Sequence, residues 1–524
     1  EKFKRWIKEL PLIDNTCFLL TREEFRKIHD FIDEWDNPVK IWKLEYDEWQ
    51  DIELWVNKLF ASHIWIFWNT WSWKSYTLAK IYRELFKKYK DNPRFKENAK
   101  FFLIDFNWEY IDSDVIIEQQ HKNIYKLNTS KQIWTIMKEE KFPIHKDTLK
   151  NTSFWSIFLE ATEKTQMPFL NRAIKDIKID EILENDQLFI EYIKSKIIQA
   201  TSVSWKNIDR TIVQDFLYEL SSYLKNQSLY ELANYFKENL FWWNDNISFY
   251  LEEKRTWNYS WEEGFLTKIN DNFNYVENIF VNWDDIIVSN IKKIGLKVIV
   301  KYYDEMIRGF SNKEHLSPLI KRLDKRILDL EKVIRIKESS EMFDNNFTII
   351  SLRNVNLDIR KMIPMLLVKE LYDLKKKNED KNNSLHIIID EAHNILSRNS
   401  DRESEQWKDY RLEVFEEIIK EWRKFATFLT ISSQRPSDIS STIISQLHNY
   451  FLHRLINSND LLAVEKTIAY LDKVSADSIP NLATWTCILA WLIAQIPVVM
   501  KTSKIEEKKY EPQSHTIELI QKWQ

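Results

Sequence analysis

IWIFWNTWSWKS, residues 64–75, decides how this chain is read. Its apolar start is a buried-strand pattern. The segment KSYTLAKIYRELFKKYK that follows from Lys74 puts Leu78, Ile81, Tyr82, Leu85, Phe86 and Tyr89 on one helical face. Strand, short loop, Lys-Ser and helix is the layout of a phosphate-binding loop, G-x-x-x-x-G-K-[ST]. The glycines of that loop are absent, and glycine at 68 and 73 would complete it. The loop set is then Trp68, Asn69, Thr70, Trp71, Ser72, Trp73, Lys74, Ser75 and Tyr76. Lys74 would neutralise the β- and γ-phosphates, and Ser75 would give its hydroxyl to Mg²⁺. The helix starting there adds its positive dipole end. Without the glycines, Lys74 and Ser75 are an ordinary helix start.

Composition bears directly on that gap. The 524 residues contain 3 Gly and 23 Trp, whereas average usage of about 7% Gly would give roughly 37. Left-handed turns and close backbone approaches call for a residue without Cβ, and phosphate loops need backbone N–H groups free of bulky neighbours. Many of the tryptophans are therefore expected to stand for glycine, as when UGA codons read as glycine in some bacterial lineages are translated as tryptophan. Trp155, with Phe154 and Phe158 at helical spacing, reads as a true core residue. Trp407 and Trp523 fit either residue, and the cluster at 242–261 fits glycine-rich turns or an aromatic surface, the glycine reading favouring turns.

The remaining bounds are conventional. A chain of this length holds two or three domains. Cys17 and Cys487 have no metal-type spacing, which suits a reducing cytoplasm. No signal peptide is evident, and Glu1 in place of Met reads as a trimmed or partial start. The longest apolar run, CILAWLIAQIPVVM, is too short to span a membrane. A net charge of −4 gives no global basic field, so any nucleic-acid contact would be local.

Along the chain, residues 1–60 read as a strand-bearing preamble with PVKIWKLEY and DIELWVNKLF. Residues 61–111 hold the loop strand, its helix and a second strand, FFLID, ending at Asp105. From 112 to 344 the periodicity turns helical, as in LIKRLDKRILDLEKVIRI. From 345 to 503 strands and helices alternate again: NFTIISL, helix 358–375, LHIIID, helix 408–424, TFLTISS, YFLHRL and TCILAWL. That alternation predicts a parallel, doubly wound α/β sheet. The charged tail, 504–524, is expected to project from the core.

HIIIDEAHN places Asp390 and Glu391 at a strand's carboxyl end. In phosphate-loop enzymes such an Asp serves Mg²⁺ and an adjacent Glu activates the attacking water. Two surface acids after a buried strand is the simpler alternative, and the upstream loop tips the balance.

HIWIFWNTWSWKSYTL, FFLIDFNWEY, IDEAHNIL, IIKEWRKFATFLTISSQRPSDISS and IPNLATWTCILAWLIAQIPVVMK occur in that order. Read with glycine at 68, 71, 73, 108, 422, 485 and 491, they resemble the HerA group of the HerA/FtsK motor ATPases, whose pattern runs GxTGSGKS, DxxGEY, DEAHN, EGRK, SQRPS and a closing TG strand. The resemblance implies a RecA-like phosphate-loop ATPase core with a helical insertion and a short N-terminal β remnant. It further implies a homo-hexamer that uses ATP and Mg²⁺ to translocate double-stranded DNA, with a NurA-like nuclease or sirtuin-type antiphage effector as partner. Arg423 matches the arginine offered to the neighbouring subunit's γ-phosphate, and Gln434 the polar sensor. Catalysis would rest on Lys74, Glu391, Arg423 and Gln434, and metal binding on Ser75 and Asp390. For Arg423 the alternative is a helix-face pairing with Glu417 or Glu421, and Arg435 and Arg454 are runner-up fingers. Asp105 and Glu109 match an acidic pair, while His393 and His63 read as packing residues. Ser62 replaces an arginine of the archaeal members, and the short N-terminus leaves room for only part of their barrel. A nucleotide-regulated scaffold that licenses an effector, with little translocation, is the alternative function.

Overall fold

The computed structural model describes residues 16, 18, 21, 23–24, 27, 37–44, 51–68, 73–202, 211–243, 248–253, 256–260, 263–277, 290–337, 345–378, 382–398, 405–468, 471–491 and 497–513. The chain divides into two units, Glu1–Ser130 with Glu341–Gln524, and Lys131–Ser340.

Eleven strands of the first unit form one sheet: β1 (Pro38–Leu44), β2 (Asp51–Trp55), β3 (Ile64–Phe67), β4 (Ala99–Asp105), β5 (Lys122–Asn128), β11 (Phe347–Asn354), β12 (Ser384–Ile389), β13 (Thr427–Ser433), β14 (Asn449–Leu452), β15 (Thr486–Trp491) and β16 (Val498–Thr502). The second unit holds β6 (Phe142–His145), β7 (Leu240–Trp243), β8 (Ser248–Glu253), β9 (Thr256–Tyr259) and β10 (Ile334–Lys337). The large sheet runs β2-β1-β16-β15-β14-β3-β13-β12-β4-β11-β5. From β14 to β5 every pairing is parallel, and β15, β16, β1 and β2 continue it antiparallel. This is the doubly wound α/β sheet that the strand–helix alternation predicted. Its central strands read as unbroken apolar runs because both faces are covered: β3 and β13 are buried at every position.

The helix Trp73–Tyr89 lies on this sheet through Leu78, Ile81, Tyr82, Leu85 and Phe86. Phe86 meets Phe101 and Phe347 at ring separations of 5.1 and 5.0 Å, and Tyr82 Oη bonds Thr430 Oγ1 at 2.7 Å. The N-terminal strands join the main sheet through β16, and the second half of DIELWVNKLF is the short helix Val56–Phe60. The first core segment runs on to Ser130, because β5 adds an edge strand beside β11.

The described part of the tail, residues 504–513, does not project from the core, and 514–524 lie outside the described residues. Residues 504–513 form a strap across the core. Ile505 N donates to Tyr76 Oη, Ile116 N to the Tyr510 carbonyl at 3.1 Å, and Gln513 N to the Glu109 carbonyl at 2.8 Å. Tyr510 and Ile505 are buried, and the Arg83 guanidinium sits 3.4 Å over the Tyr510 ring. Apolar Ile505 and Tyr510 anchor a tail whose charges suggested solvent.

The second unit is mainly helical, with the expected long helix at Lys313–Val333. It also contains a parallel pair, β6 with β10, and an antiparallel sheet, β7-β8-β9. Trp242, Trp243 and Trp257 lie in those strands rather than in turns, because Phe241, Tyr250 and Tyr259 pair across them in register. Residues 244–247, 254–255 and 261 lie outside the described residues. Trp155 is buried, as expected, and its indole N–H donates to the Leu149 carbonyl at 2.6 Å.

Candidate active site

The carboxyl ends of the parallel strands bring the predicted acids to one edge of the sheet. β12 leads into Asp390 and Glu391, β4 ends at Asp105, β13 leads into Gln434, and β3 leads to Trp68. This is where ligands bind in open α/β sheets. Asp390 is fully buried, and its Oδ1 accepts from Ser432 Oγ at 2.6 Å. Glu391, buried and in the left-handed region at φ 52°, turns its carboxylate toward β13 and β4. Its Oε1 accepts from Gln434 Nε2 at 2.7 Å and from Asn107 Nδ2 at 3.3 Å, while Oε2 lies 3.3 Å from His393 Nδ1. A backbone held in a sparsely populated conformation at this point is a feature of functional sites.

Asp105 organises the next loop. Its Oδ1 accepts from the backbone N–H groups of Asn107 and Trp108, each at 2.9 Å, and Oδ2 from that of Tyr110 at 3.2 Å. Burial pushes its carboxyl up, against the pull of those N–H groups. Tyr110 is fully buried. Burial first, then Asp390 and Glu109, push its phenol well above the ordinary range, while the Ser75 hydroxyl pulls it down. Ser75 is itself buried and on the first turn of the helix. Thus Ser75, Asp390, Glu391, Gln434 and Asp105 share one region. Tyr76 instead packs edge-on to Trp485, at 5.3 Å, and under the strap. Trp68 is buried, Trp73 and Lys74 begin the helix, and 69–72 lie outside the described residues. Among the described residues no group of three or more His, Cys, Asp or Glu could hold a metal ion.

His453 ties the loop helix to the sheet. Its Nδ1 faces the Thr486 carbonyl at 3.1 Å and so carries the proton, leaving Nε2 to accept from Thr77 Oγ1 at 3.0 Å.

Arg423 lies elsewhere. It ends the helix Glu405–Phe425, just before β13 begins, whereas Gln434 follows the same strand's far end. Seven residues at about 3.3 Å each put roughly 20 Å between those edges. Trp422 packs against His63 and His448, at ring separations of 5.2 and 5.4 Å, and those residues precede β3 and β14. The Arg423 guanidinium is 4.8 Å over the Trp422 ring and exposed, and it forms no ion pair among the described residues. Glu417 pairs with Lys376 and Lys369, and Glu421 with Lys424 and Lys376. Arg435 is 3.8 Å from Asp438, and Arg454 donates to the Pro480 carbonyl. His63 accepts from Leu429 N at its Nδ1, a packing role.

The spacing of the sequence did not single out Asn107, Ser432, Tyr110 or Arg360. Ser432 and Ser433 gave the clearest signal, two hydroxyls at the carboxyl end of an otherwise apolar strand.

A sequence model of the family described as helicase HerA, central domain, matches residues 39–246. Over that span the chain is similar to the HerA family. The matched span includes β1 to β5, the loop helix and the first part of the second unit. The chain is 26% identical over 165 residues to the DNA double-strand break repair helicase HerA of Sulfolobus acidocaldarius, covering 30% of this chain and 32% of that protein. It is 24% identical over 220 residues to the protein of that name from Sulfurisphaera tokodaii, covering 40% and 43%. The chain thus spans less than half the length of these curated relatives. A solved structure, VirB4 of Thermoanaerobacter pseudethanolicus, aligns over 91% of this chain and 98% of its own, at 9% identity and a TM-score of 0.48. Among the described residues, no helix is long and apolar enough to cross a membrane.

Proposed function

We propose that this HerA-like chain hydrolyses Mg-ATP at the interfaces of a homo-hexameric ring acting on double-stranded DNA. The observation that carries the reading is the separation of Arg423 from Glu391, at opposite edges of one sheet. Arg423 lies too far from Glu391 to act in its own subunit's site, and its exposed guanidinium at the far edge supports a role in a neighbour's. Lys74 grips the β- and γ-phosphates, and Ser75 with Asp390 would hold Mg²⁺. When bound, that ion neutralises charge developing on the phosphates. Ser432 keeps the Asp390 carboxylate oriented, Gln434 and Asn107 aim Glu391, and Glu391 takes the proton of the attacking water. Arg423 of the next subunit then stabilises transition-state charge, worth about 10³- to 10⁵-fold in arginine-finger systems. A nuclease or sirtuin-type effector is the partner, and the compartment is the cytoplasm. ATPase activity with and without duplex DNA, alongside sedimentation, tests this. Six-fold assembly and DNA-stimulated turnover are expected, and a monomer with DNA-independent turnover would refute it.

We infer further that glycine occupies the phosphate loop in the protein as made. Two tryptophans marked by the family pattern support this: Trp108 and Trp485 adopt φ of 69° and 74°, a conformation costing an L residue roughly 1–2 kcal/mol. Trp42 and Trp65 join them, because each buries an indole N–H with no acceptor among the described residues, at about 1–3 kcal/mol apiece. Trp155 satisfies its N–H and remains tryptophan. The codons decide the matter: UGA at 42, 65, 68, 71, 73, 108 and 485 is expected, and UGG at these positions would refute the inference.

A further inference from the structure

Helix Leu357–Asn378 starts beyond the carboxyl end of β11, and Arg360 lies in its first turn. Arg360 Nη2 donates to the Phe106 carbonyl at 3.1 Å, and its guanidinium stands 5.0 Å over the Phe106 ring. Phe106 sits between Asp105, which shapes the loop, and Asn107, whose amide touches Glu391. Burial lowers the pKa of this guanidinium, while Asp105 and Glu391 together oppose that effect. Despite these two carboxylates, Arg360 forms no ion pair among the described residues, and its buried Nε has no acceptor there. A buried cationic donor left without an acceptor costs more than a satisfied one, and in a native structure it calls for an explanation, a catalytic role or a bound anion among them. Anchored through one nitrogen, the planar fork keeps its remaining donors available for an oxyanion.

We propose that Arg360 is a second arginine of the nucleotide site, supplied by the same subunit, and that it contacts the γ-phosphate of bound triphosphate. It would complement Lys74 from the β4–β11 side of the sheet, while Arg423 arrives from the next subunit. Its consequence is discrimination: a diphosphate offers Arg360 no oxygen, so the residue adds affinity for ATP and none for ADP.

This proposal rests on the nucleotide reading above, so the test measures binding rather than turnover. Equilibrium affinities for a non-hydrolysable ATP analogue and for ADP, both with Mg²⁺, are compared in the protein from its native host and in an Arg360→Gln variant made there. Loss of one charge-assisted contact predicts at least about a tenfold fall in analogue affinity. ADP affinity stays unchanged, which also reports that the site is folded, and Arg360→Lys lies between. Equal weakening of both nucleotides assigns Arg360 to loop structure and overturns the proposal, as does no change in either. If the unmutated protein binds neither nucleotide, the nucleotide reading falls and this inference with it. If it binds both and the variant matches it, only this inference falls.

Discussion

Replacing Glu391 with glutamine separates chemistry from structure at the candidate site. Oε1 of Glu391 accepts from Gln434 Nε2 at 2.7 Å and Asn107 Nδ2 at 3.3 Å, and the amide oxygen of a glutamine can take both donors. Only Oε2, 3.3 Å from His393 Nδ1, is exchanged for an NH₂ group, which can donate to that ring nitrogen in its neutral acceptor tautomer. The variant should therefore fold, with stability within about 1 kcal/mol of the parent, the scale of one neutral hydrogen bond. What it loses is the capacity to take a proton. A positioned general base is worth about 100- to 10,000-fold, or roughly 3–5 kcal/mol of barrier. Steady-state ATPase, analogue binding and thermal melting together are the assay. The expected pattern is kcat down at least a hundredfold, with nucleotide affinity and melting temperature held. Undiminished turnover by Glu391→Gln would refute the assignment of the base, and a large loss of stability would refute the local geometry.

The other predictions concern the interface, the strap and pH. Arg423→Ala and Lys74→Ala proteins should each be inactive alone, yet recover part of the activity when mixed, because each supplies what the other lacks across a shared interface; no recovery would argue against a trans role. Deleting 504–524 exposes the sites that Ile505 and Tyr510 cover and should cost roughly 3–6 kcal/mol at about 1.5–3 per buried side chain; an unchanged denaturant midpoint would contradict this. Burial holds His63 and His386 down to about 3 and His453 to about 4, against 6.5 ordinarily. Their unfolded forms bind protons first as pH falls below 6.5, so stability drops from there toward the folded values. By pH 5 each should cost about 2 kcal/mol, partly offset by Asp105, whose raised carboxyl acts oppositely. Denaturant unfolding at pH 7 and pH 5 measures the difference, and equal stabilities would count against buried neutral imidazoles.

The parallel core was legible because β3, β12 and β13 are covered on both faces and so appear as short apolar runs between helical periods. β5 was not, since an edge strand reading KNIYKLN interleaves lysine and asparagine with its apolar residues and resembles the helical stretch that follows. The strap escaped because its hold depends on Ile505 and Tyr510 meeting Tyr76, Ile116 and Arg83, partners remote in sequence. The acids announced themselves as an adjacent pair after an apolar run. Asn107 and Gln434 come from two loops and Arg360 from the first turn of a helix, a convergence that no local spacing encodes; Gln434 was found only through the family pattern.

Tandem mass spectrometry of the polypeptide purified from its native host tests the phosphate loop most directly. Peptides spanning 64–76, and those containing 42, 108 and 485, should carry glycine at 42, 65, 68, 71, 73, 108 and 485, with tryptophan retained at 155. Tryptophan at 68, 71 and 73 would leave no room for phosphates against the backbone, and the nucleotide site would be contradicted.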